Sequence, residues 1–473
     1  MCVLKEWNAP CGYKAVLKVS LPLVASMAST TLMLFSDRLF LGWYATDALA
    51  ASTPAGLAAF TLMSFFLGVA AYTNTFVAQY TGSGAHGRVG ACLWQGIYFS
   101  LLAGGVLAGC SFLGEDLFRL VGHPPEIQRL ETVYFRILML FAVFNVLHDS
   151  LSCFYSGRGL TVPVMVISLA GAAVNIPLNY ILINGLLGLP EMGVAGAAWA
   201  TVTSHALIML LYIVVIFRPR NNSRFGVWTQ RAFDPSIFRR LLKYGVPAGI
   251  SFFTDIFAFT FFLFMIGRIG SMELAASNIA FAINSLGFLP MIGFGIGTAT
   301  LVGQAIGRGR PENAGAATRS ALHISTLYML LMLGIYLGLP EVLFRLFRPR
   351  DMRPEDFSAI IAMGRPLMSF IAVYSLFDMV SIIFSSTLKG AGDTRFVTRA
   401  ILLCSTGLMV LPVYLAVSVF DRGLYTAWFF ATVYVIAIGC TFFLRFRHGR
   451  WKSMRVIEHN PAVDIVEAES GIY

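Results

Sequence analysis

The stretch FVAQYTGSG at residues 76–84 returns as LVGQAIGRG at residues 301–309. Both copies contain Val-x-Gln-x-x-Gly-x-Gly, and they lie 225 residues apart. Two further pairs of blocks follow the same order: Leu49-Ala50-Ala51-Ser52 with Leu274-Ala275-Ala276-Ser277, and Gly157-x-Gly159-x-Thr161 with Gly390-x-Gly392-x-Thr394. Ordered self-similarity of this kind indicates that the chain consists of two copies of one structural unit.

The composition places both copies in a lipid bilayer. Of the 473 residues, 57% are hydrophobic and only 12% are charged, whereas a soluble protein has about 25% charged residues. The mean hydropathy is +0.74. These values exclude a water-soluble enzyme and a disordered protein.

Twelve apolar stretches are long enough to cross a membrane, since a spanning helix needs about 20 mostly apolar residues. They are residues 16–42, 54–80, 91–113, 133–156, 162–184, 194–217, 242–268, 279–302, 318–346, 359–388, 397–420 and 424–446. Six spans per copy give both copies the same orientation. The predicted fold is therefore an all-α integral membrane protein, with twelve transmembrane helices in two pseudo-symmetric six-helix lobes around a central cleft.

The domain organisation follows from these spans. We expect an N-terminal cytoplasmic segment at 1–15, a first lobe at 16–217 and a cytoplasmic linker at 218–241. A second lobe at 242–446 and a polar, disordered C-terminal tail at 447–473 complete the chain. Most of the 34 Lys and Arg residues fall on the side of the N-terminus, which predicts that both termini are cytoplasmic. Topology and anionic lipid thus explain the net charge of +10 without nucleic acid.

The ordered blocks resemble the multidrug and toxic compound extrusion (MATE) family over residues 15–445. The resemblance is carried by Leu21-Pro22, Asp37, Val77-x-Gln79, Asn175-x-x-x-Asn179, Gly245-x-Pro247 and Lys389-Gly390-Ala391-Gly392-Asp393-Thr394. It implies a secondary active antiporter that exports organic, cationic or amphipathic compounds in exchange for H⁺ or Na⁺ by alternating access. Flippases of lipid-linked oligosaccharides share the architecture, so flipping of such lipids is the alternative function. We expect a monomer in the inner membrane of a bacterium.

Four acidic residues lie inside the spans, at Asp37, Asp149, Asp255 and Asp378. A charge at the centre of a spanning helix costs at least about 2.5–3.5 kcal/mol, so each is a candidate functional residue. Asp37 matches the acid that the family carries in its first helix. The same lobe contains Asn175, Asn179 and Thr201, and the two asparagines share one helix face because they are four residues apart.

A carboxylate with amide and hydroxyl oxygens nearby suits a hard cation such as Na⁺, and a buried carboxylate can also carry a proton. Many relatives have a second acid in the fifth span where this sequence has Asn179. The missing charge favours protons over sodium. Two alternatives stay open: Asp37 pairs with Arg38, and Asn179 only packs helices together.

The second lobe offers a less complete set. Asp255 lies where the sodium-coupled branch of the family has a glutamate, but the tenth-span acid of that branch aligns with Lys389. Asp255 is therefore predicted to act in coupling or in binding substrate charge, with Lys389 as a partner or as an anchor at the inner helix end. Asp378 is predicted to contact substrate or to form a buried hydrogen bond.

The remaining polar residues within spans favour structural interpretations. Asp149 is expected to pair with the neighbouring His148, and His205 and His323 to be packed and hydrogen-bonded. The seven cysteines form no CxxC or Cys/His cluster, so they indicate helix packing and no metal or disulfide framework. The loops contain no enzymatic motif. We expect a carrier without cofactor, whose partners are a small organic substrate, the coupling cation and membrane lipid.

Overall fold

The computed structural model describes residues 7–348 and 354–458, and over these residues the chain is helical and contains no strand. Eleven helices in this part are long and apolar enough to cross a membrane, and a bent helix pair supplies a twelfth span. The predicted all-α membrane fold is confirmed. The terminal part of the predicted tail, 459–473, lies outside the described residues, as does 1–6.

The first lobe contains six spans. Its helices are α1 Tyr13–Tyr44, α2 Thr46–Ala71, α3 Thr73–Gly82, α4 His86–Cys110, α5 Gly114–Val121, α6 Pro125–Leu140, α7 Ala142–Ser156, α8 Val162–Asn184 and α9 Gly193–Ile216. Helices α2 and α3 form one span, and α6 and α7 form another that is bent by 43°. The fourth span, expected to begin at 133, thus begins eight residues earlier because α6 continues through the charged residues Glu126, Arg129 and Glu131.

The second lobe repeats this order after a short connection. The connection contains α10 Pro219–Phe225, and the helices of the second lobe are α11 Pro235–Ile269, α12 Ser271–Gly307, α13 Pro311–Gly338, α14 Pro340–Arg345, α15 Pro354–Ala391, α16 Thr394–Cys404, α17 Leu411–Tyr414 and α18 Leu424–His448. Two π-helical segments at 405–410 and 415–419 continue α16 to Val419 as one span. The predicted linker at 218–241 contains α10 and the first turns of α11, whose N-terminus is capped by the Asp234 carboxylate.

One end of the molecule carries the linker, the connections 83–85, 157–161, 308–310 and 392–393, and the start of the tail. We call it the linker end and the opposite end the far end. Small residues let the two lobes approach closely near this end. A Cβ added at Gly249 on α11 would lie 2.4 Å from the Phe65 carbonyl oxygen of α2, so only glycine fits there.

The start of the predicted tail is ordered, which corrects the expectation that residues from 447 onward are disordered. Trp451 is fully buried, stacks on Phe446 at 5.2 Å and donates its indole N–H to the Phe446 carbonyl oxygen at 2.9 Å. The backbone N–H of Val456 donates to Gln79 Oε1 at 2.9 Å. Because most residues of this segment are polar, the hydropathy pattern does not predict that it docks onto the helices.

Candidate functional site

The predicted first-lobe site is assembled by three helices. Asp37 on α1 is 4% exposed, and its carboxylate accepts hydrogen bonds from two neutral donors. Asn179 Nδ2 of α8 donates to Asp37 Oδ1, and Thr201 Oγ1 of α9 donates to Asp37 Oδ2 at 3.0 Å. The structure therefore brings together three of the four residues singled out in this lobe, through direct contacts between residues far apart in the chain.

The fourth residue, Asn175, lies one turn away on the same face of α8 and is fully buried. Within the described residues, neither amide atom of Asn175 has a hydrogen-bond partner, and Asn179 Oδ1 also lacks one. A buried polar atom without a partner costs about 1–3 kcal/mol. These atoms therefore mark a place where water or a ligand can supply the missing hydrogen bonds.

Local sequence explains the shape of this pocket. Pro177 lies between the two asparagines and has no backbone N–H, so it removes one helical hydrogen bond from α8. Ser26 Oγ and Ser168 Oγ join α1 to α8 at 2.7 Å, and at the far end Tyr44 donates to Glu191 at 2.7 Å. These contacts hold α1 against α8 on one side of Asp37 and against the connection between α8 and α9 on the other.

The alternative pairing of Asp37 with Arg38 does not form. Arg38 is exposed, and both carboxylate oxygens of Asp37 are engaged by Asn179 and Thr201. Tyr134 of α6 is buried within the range of direct electrostatic interaction with Asp37. The two side chains that donate to this carboxylate are therefore neutral, and Arg38 acts on it only at longer range.

The second-lobe residues also lie near one another. Asp255 on α11 accepts a hydrogen bond from Tyr434 Oη of α18 at 3.1 Å. The side chains of Lys389 and Asp378, both on α15, lie within electrostatic range of Asp255. Asp255, Asp378 and Lys389 are all partly exposed, so this cluster combines two carboxylates with one ammonium group.

The histidines pair differently from the expectation. His148 Nε2 lies 3.0 Å from His205 Nδ1, and the two rings stack with centroids 4.9 Å apart. The expected pairing of His148 with Asp149 is therefore replaced by a contact to a different helix. His323 is exposed and its Nδ1 lies 2.8 Å from Tyr13 Oη, as expected for a hydrogen-bonded histidine.

The repeated motif forms a symmetric junction between the lobes at the linker end. Gln79 Nε2 donates to the Gly390 carbonyl oxygen at 3.0 Å, and its repeat equivalent Gln304 donates to that of Gly157 at 3.0 Å. The matched glycines make this approach possible. A Cβ on Gly82 would lie 2.1 Å from the Gln304 carbonyl oxygen, and one on Gly307 would lie 2.1 Å from that of Gln79.

All cross-lobe hydrogen bonds found in the described residues lie toward the linker end. Tyr72 Oη donates to the Lys389 carbonyl oxygen at 2.9 Å, and Asn74 Nδ2 donates to Thr300 Oγ1 at 3.0 Å. Sequence reasoning used the glutamines only as markers of the repeat. The equal spacing of Gln79 and Gly82 with Gln304 and Gly307 was the signal that could have indicated a paired contact.

Comparisons with known proteins agree with this arrangement. A sequence model of the MatE family matches the chain twice, at residues 22–181 and at residues 247–415, which confirms the internal duplication. The probable multidrug resistance protein NorM of Chromobacterium violaceum is 31% identical over 377 residues, which cover 79% of this chain and 79% of the relative.

A second relative and a solved structure extend the comparison. The multidrug resistance protein PmpM of Pseudomonas aeruginosa is 27% identical over 387 residues, covering 81% of this chain and 79% of that protein. A structure described as the outward-facing conformation of a multidrug resistance MATE family transporter of the MOP superfamily superposes with a TM-score of 0.84. It is 21% identical and covers 96% of this chain and 99% of that chain, which establishes a shared fold.

Proposed function

The chain belongs to the MatE family, and on that premise we propose that it exports organic cations and amphipathic compounds in exchange for protons. Members of this family are transporters and not enzymes, and the relatives named above are multidrug resistance proteins. The proposal places the protein in a bacterial inner membrane. It also takes the protein to be a monomer, because one chain contains both lobes and the candidate site.

The observation that carries the proposal is the Asp37 pocket. A nearly fully buried carboxylate is hydrogen-bonded by an amide and a hydroxyl, and no cationic side chain contacts it within the described part of the chain. Arg38 lies within electrostatic range of the carboxylate but forms no ion pair with it, so the negative charge that remains when the proton leaves is only partly compensated. Binding and release of a proton are therefore coupled to any motion that opens the pocket to water.

The donors in the pocket favour a proton over sodium as the coupling ion. Sodium requires several oxygen ligands, as hard cations do. Asn179 and Thr201 present N–H and O–H groups to Asp37, so the unpaired amide oxygens of Asn175 and Asn179 are the other oxygen ligands that the described pocket offers. With Asn179 in place of a second acid, the pocket has one negative charge to offset dehydration of the ion.

One proton is energetically sufficient. A proton that moves inward across 100 mV releases about 2.3 kcal/mol, and one pH unit adds about 1.4 kcal/mol. Together they support a concentration ratio of a few hundredfold for a neutral substrate. For a monovalent cation the electrical work cancels, and about tenfold remains from the pH difference.

The proposed cycle is alternating access. The lobes meet at the linker end through the Gln79 and Gln304 contacts. We assign the linker end to the cytoplasm, so this arrangement closes the cleft on the inside. Rocking of one lobe against the other breaks these contacts and opens the cleft to the cytoplasm.

The test of the proposed function uses ethidium as a fluorescent organic cation. Purified protein in proteoliposomes is given a pH gradient or a sodium gradient, each at the same membrane potential. We expect ethidium movement against its gradient with the pH gradient and none with sodium alone. Movement that depends on sodium and ignores pH would overturn the choice of ion, and no gradient-driven movement would overturn the function.

The orientation has its own test. Gln230 lies in the exposed part of the linker, so a Gln230→Cys variant should react with an impermeant thiol reagent only in permeabilised cells. A matched Arg422→Cys variant at the far end should react in intact cells. The reverse pattern would contradict the assignment of the linker end to the cytoplasm.

A further inference from the structure

A pair of histidines lies inside the first lobe, apart from the Asp37 carboxylate. His148 on α7 and His205 on α9 approach to 3.0 Å between Nε2 and Nδ1, and their rings lie 13° from parallel. Neither ring is fully buried. The contact joins two helices of different spans in the middle of the lobe.

The pair continues a line of polar groups that starts at Asp37. Thr201 donates to Asp37, and His205 lies one turn further along α9 toward the linker end. Residues four apart share a helix face and are separated by about 6 Å along the axis. Asp149 follows His148 directly on α7. The order from the far end toward the linker end is therefore Asp37, Thr201, His205, His148 and Asp149.

The elements packed around α7 and α9 carry other ionisable groups. Asp149, Cys153, Tyr155 and Tyr212 lie on α7 and α9 themselves. The surrounding helices carry Tyr13, Lys14, Lys18, Asp37, Arg38 and Tyr44 on α1, Asp47 on α2, Tyr80 on α3, His86, Arg88, Cys92, Tyr98 and Cys110 on α4, Glu126, Arg129, Glu131, Tyr134 and Arg136 on α6, Tyr180 on α8 and Glu273 on α12.

Most of these groups lie at the helix ends or on exposed faces. Arg136, the cation on α6 closest in sequence to the break before α7, is exposed. Asp37 lies beyond Thr201 on the far-end side of the pair, and Asp149 is the next residue after His148 on α7, where successive side chains do not face each other.

The chemistry of two imidazoles in contact sets what the pair can do. A hydrogen bond between ring nitrogens needs one N–H and one lone pair, so the two rings in this geometry hold at most one extra proton between them. A proton that arrives at one ring can leave from the other. The transfer changes no oxidation state: Asp37 loses a proton, the pair gains and then loses one, and water at the linker end receives it.

We propose that His148 and His205 form a second proton-carrying site, which passes the coupling proton between Asp37 and the linker end of the first lobe. This proposal rests on the proposed proton coupling at Asp37. In the proposed orientation the pair provides the inner half of the proton pathway. The carboxylate alone provides the outer half.

The test replaces both rings by amides that keep the shape of the contact. Gln at 148 places an amide nitrogen near the former Nε2 position, and Asn at 205 places one near the former Nδ1 position, but neither amide titrates. His323→Asn is the matched control, because His323 also uses Nδ1 and lies in the other lobe. Each variant is reconstituted, and pH-driven ethidium transport is measured as a function of pH.

A positioned proton carrier contributes about 10²–10⁴-fold to a proton transfer, so the H148Q/H205N variant should transport at least about tenfold more slowly under a pH gradient. Its pH profile should be flatter than that of the wild type. Ethidium binding and ethidium–ethidium exchange without a pH gradient should remain within about twofold, since neither needs net proton movement. H323N should behave as the wild type.

An unchanged rate and pH profile in H148Q/H205N, with Asp37→Asn inactive, would overturn the histidine proposal and leave the proposed function standing. Wild-type transport by Asp37→Asn would overturn both. If the double variant does not fold, the single variants His148→Gln and His205→Asn decide by the same criteria. Slower pH-driven transport with retained ethidium binding supports the proposal, and unchanged transport overturns it.

Discussion

Asp37 and Phe262 occupy equivalent positions in the two lobes under the displacement of 225 residues, yet their surroundings are opposite in chemistry. In the first lobe an acid meets an amide and a hydroxyl. In the second lobe Phe262 is 1% exposed and packs edge-on against Trp428 at 5.7 Å, and Phe281 stacks on the same indole at 4.8 Å.

The acids of the second lobe lie elsewhere. The equivalent of Asp255 in the first lobe is Thr30, whereas Gln79 and Gln304 have kept the same role in both copies. The duplication therefore retained the junction that joins the lobes, and only one copy keeps a carboxylate at the Asp37 position. In the proposed account, the first lobe couples transport to protons. The second lobe contributes the aromatic side chains around Trp428 and the charged side chains of Asp255, Asp378 and Lys389.

The largest effect is expected from Asp37→Asn. The substitution keeps the shape but removes the group that binds the proton, so pH-driven ethidium export should fall to background. Ethidium affinity should stay within about tenfold, which corresponds to about 1.4 kcal/mol. Proteoliposome transport and equilibrium binding by fluorescence measure the two quantities. Phe262→Leu, at the equivalent position, is the matched control and should retain pH-driven export.

An intermediate effect is expected at the junction. Gln79→Ala and Gln304→Ala each leave a carbonyl oxygen without its donor, which costs about 1–3 kcal/mol and shifts the equilibrium away from the joined state by roughly 5–150-fold. The two donated bonds are equivalent, but Gln79→Ala also leaves the Val456 N–H without its acceptor, so its shift should be at least as large as that of Gln304→Ala. Pulsed EPR distances between labels at Gly87 and Arg310, in a cysteine-depleted background, report the shift. A large shift for one variant and none for the other would contradict the claim that both contacts stabilise the joined state.

A smaller effect is expected from Asp255→Asn. The change removes one of two carboxylates near Lys389 but keeps the side chain able to accept from Tyr434. Ethidium affinity should fall by less than about tenfold, or about 1.4 kcal/mol, and the pH dependence of transport should remain. If transport by Asp255→Asn no longer depended on pH, proton coupling would lie in the second lobe, which would contradict its assignment to the first lobe.

The smallest effect is expected at the ordered start of the tail. Burial alone raises the pKa of Glu458, but hydrogen bonds from Arg240 and Tyr80 outweigh it and lower that pKa to about 2. A pKa below the unfolded value of about 4.3 stabilises the docked tail above that pH, and this contribution is lost as the pH falls through the folded pKa. Between pH 5 and 8 docking should therefore be constant.

A spin label at Ser453 measures this docking. Glu458→Gln should increase label mobility at pH 7 and change ethidium export by less than about twofold, since an exposed ion pair contributes about 0–1 kcal/mol. Label mobility that rises between pH 8 and pH 5 in the wild type would contradict the assigned role of Glu458.

The sequence predicted the features that hydropathy and repetition encode. The fifth span was expected at 162–184, where α8 lies, because a run of apolar residues of membrane length is a direct physical signal. The meeting of Asp37 with Asn179 followed from the family resemblance. The pairing of His148 with His205 depended on how α7 and α9 pack, and neither residue carries a local pattern that specifies its partner. The docking of Trp451 was missed because the surrounding residues are polar.

The measurement that tests the central claim most directly is proton release on ethidium binding to the purified protein in weakly buffered detergent solution. If Asp37 carries the coupling proton, the wild type should release up to about one proton per ethidium bound, because the two ligands are reciprocally linked. Asp37→Asn should release none while still binding ethidium, and Asp255→Asn should release as much as the wild type. Undiminished release from Asp37→Asn would contradict the account.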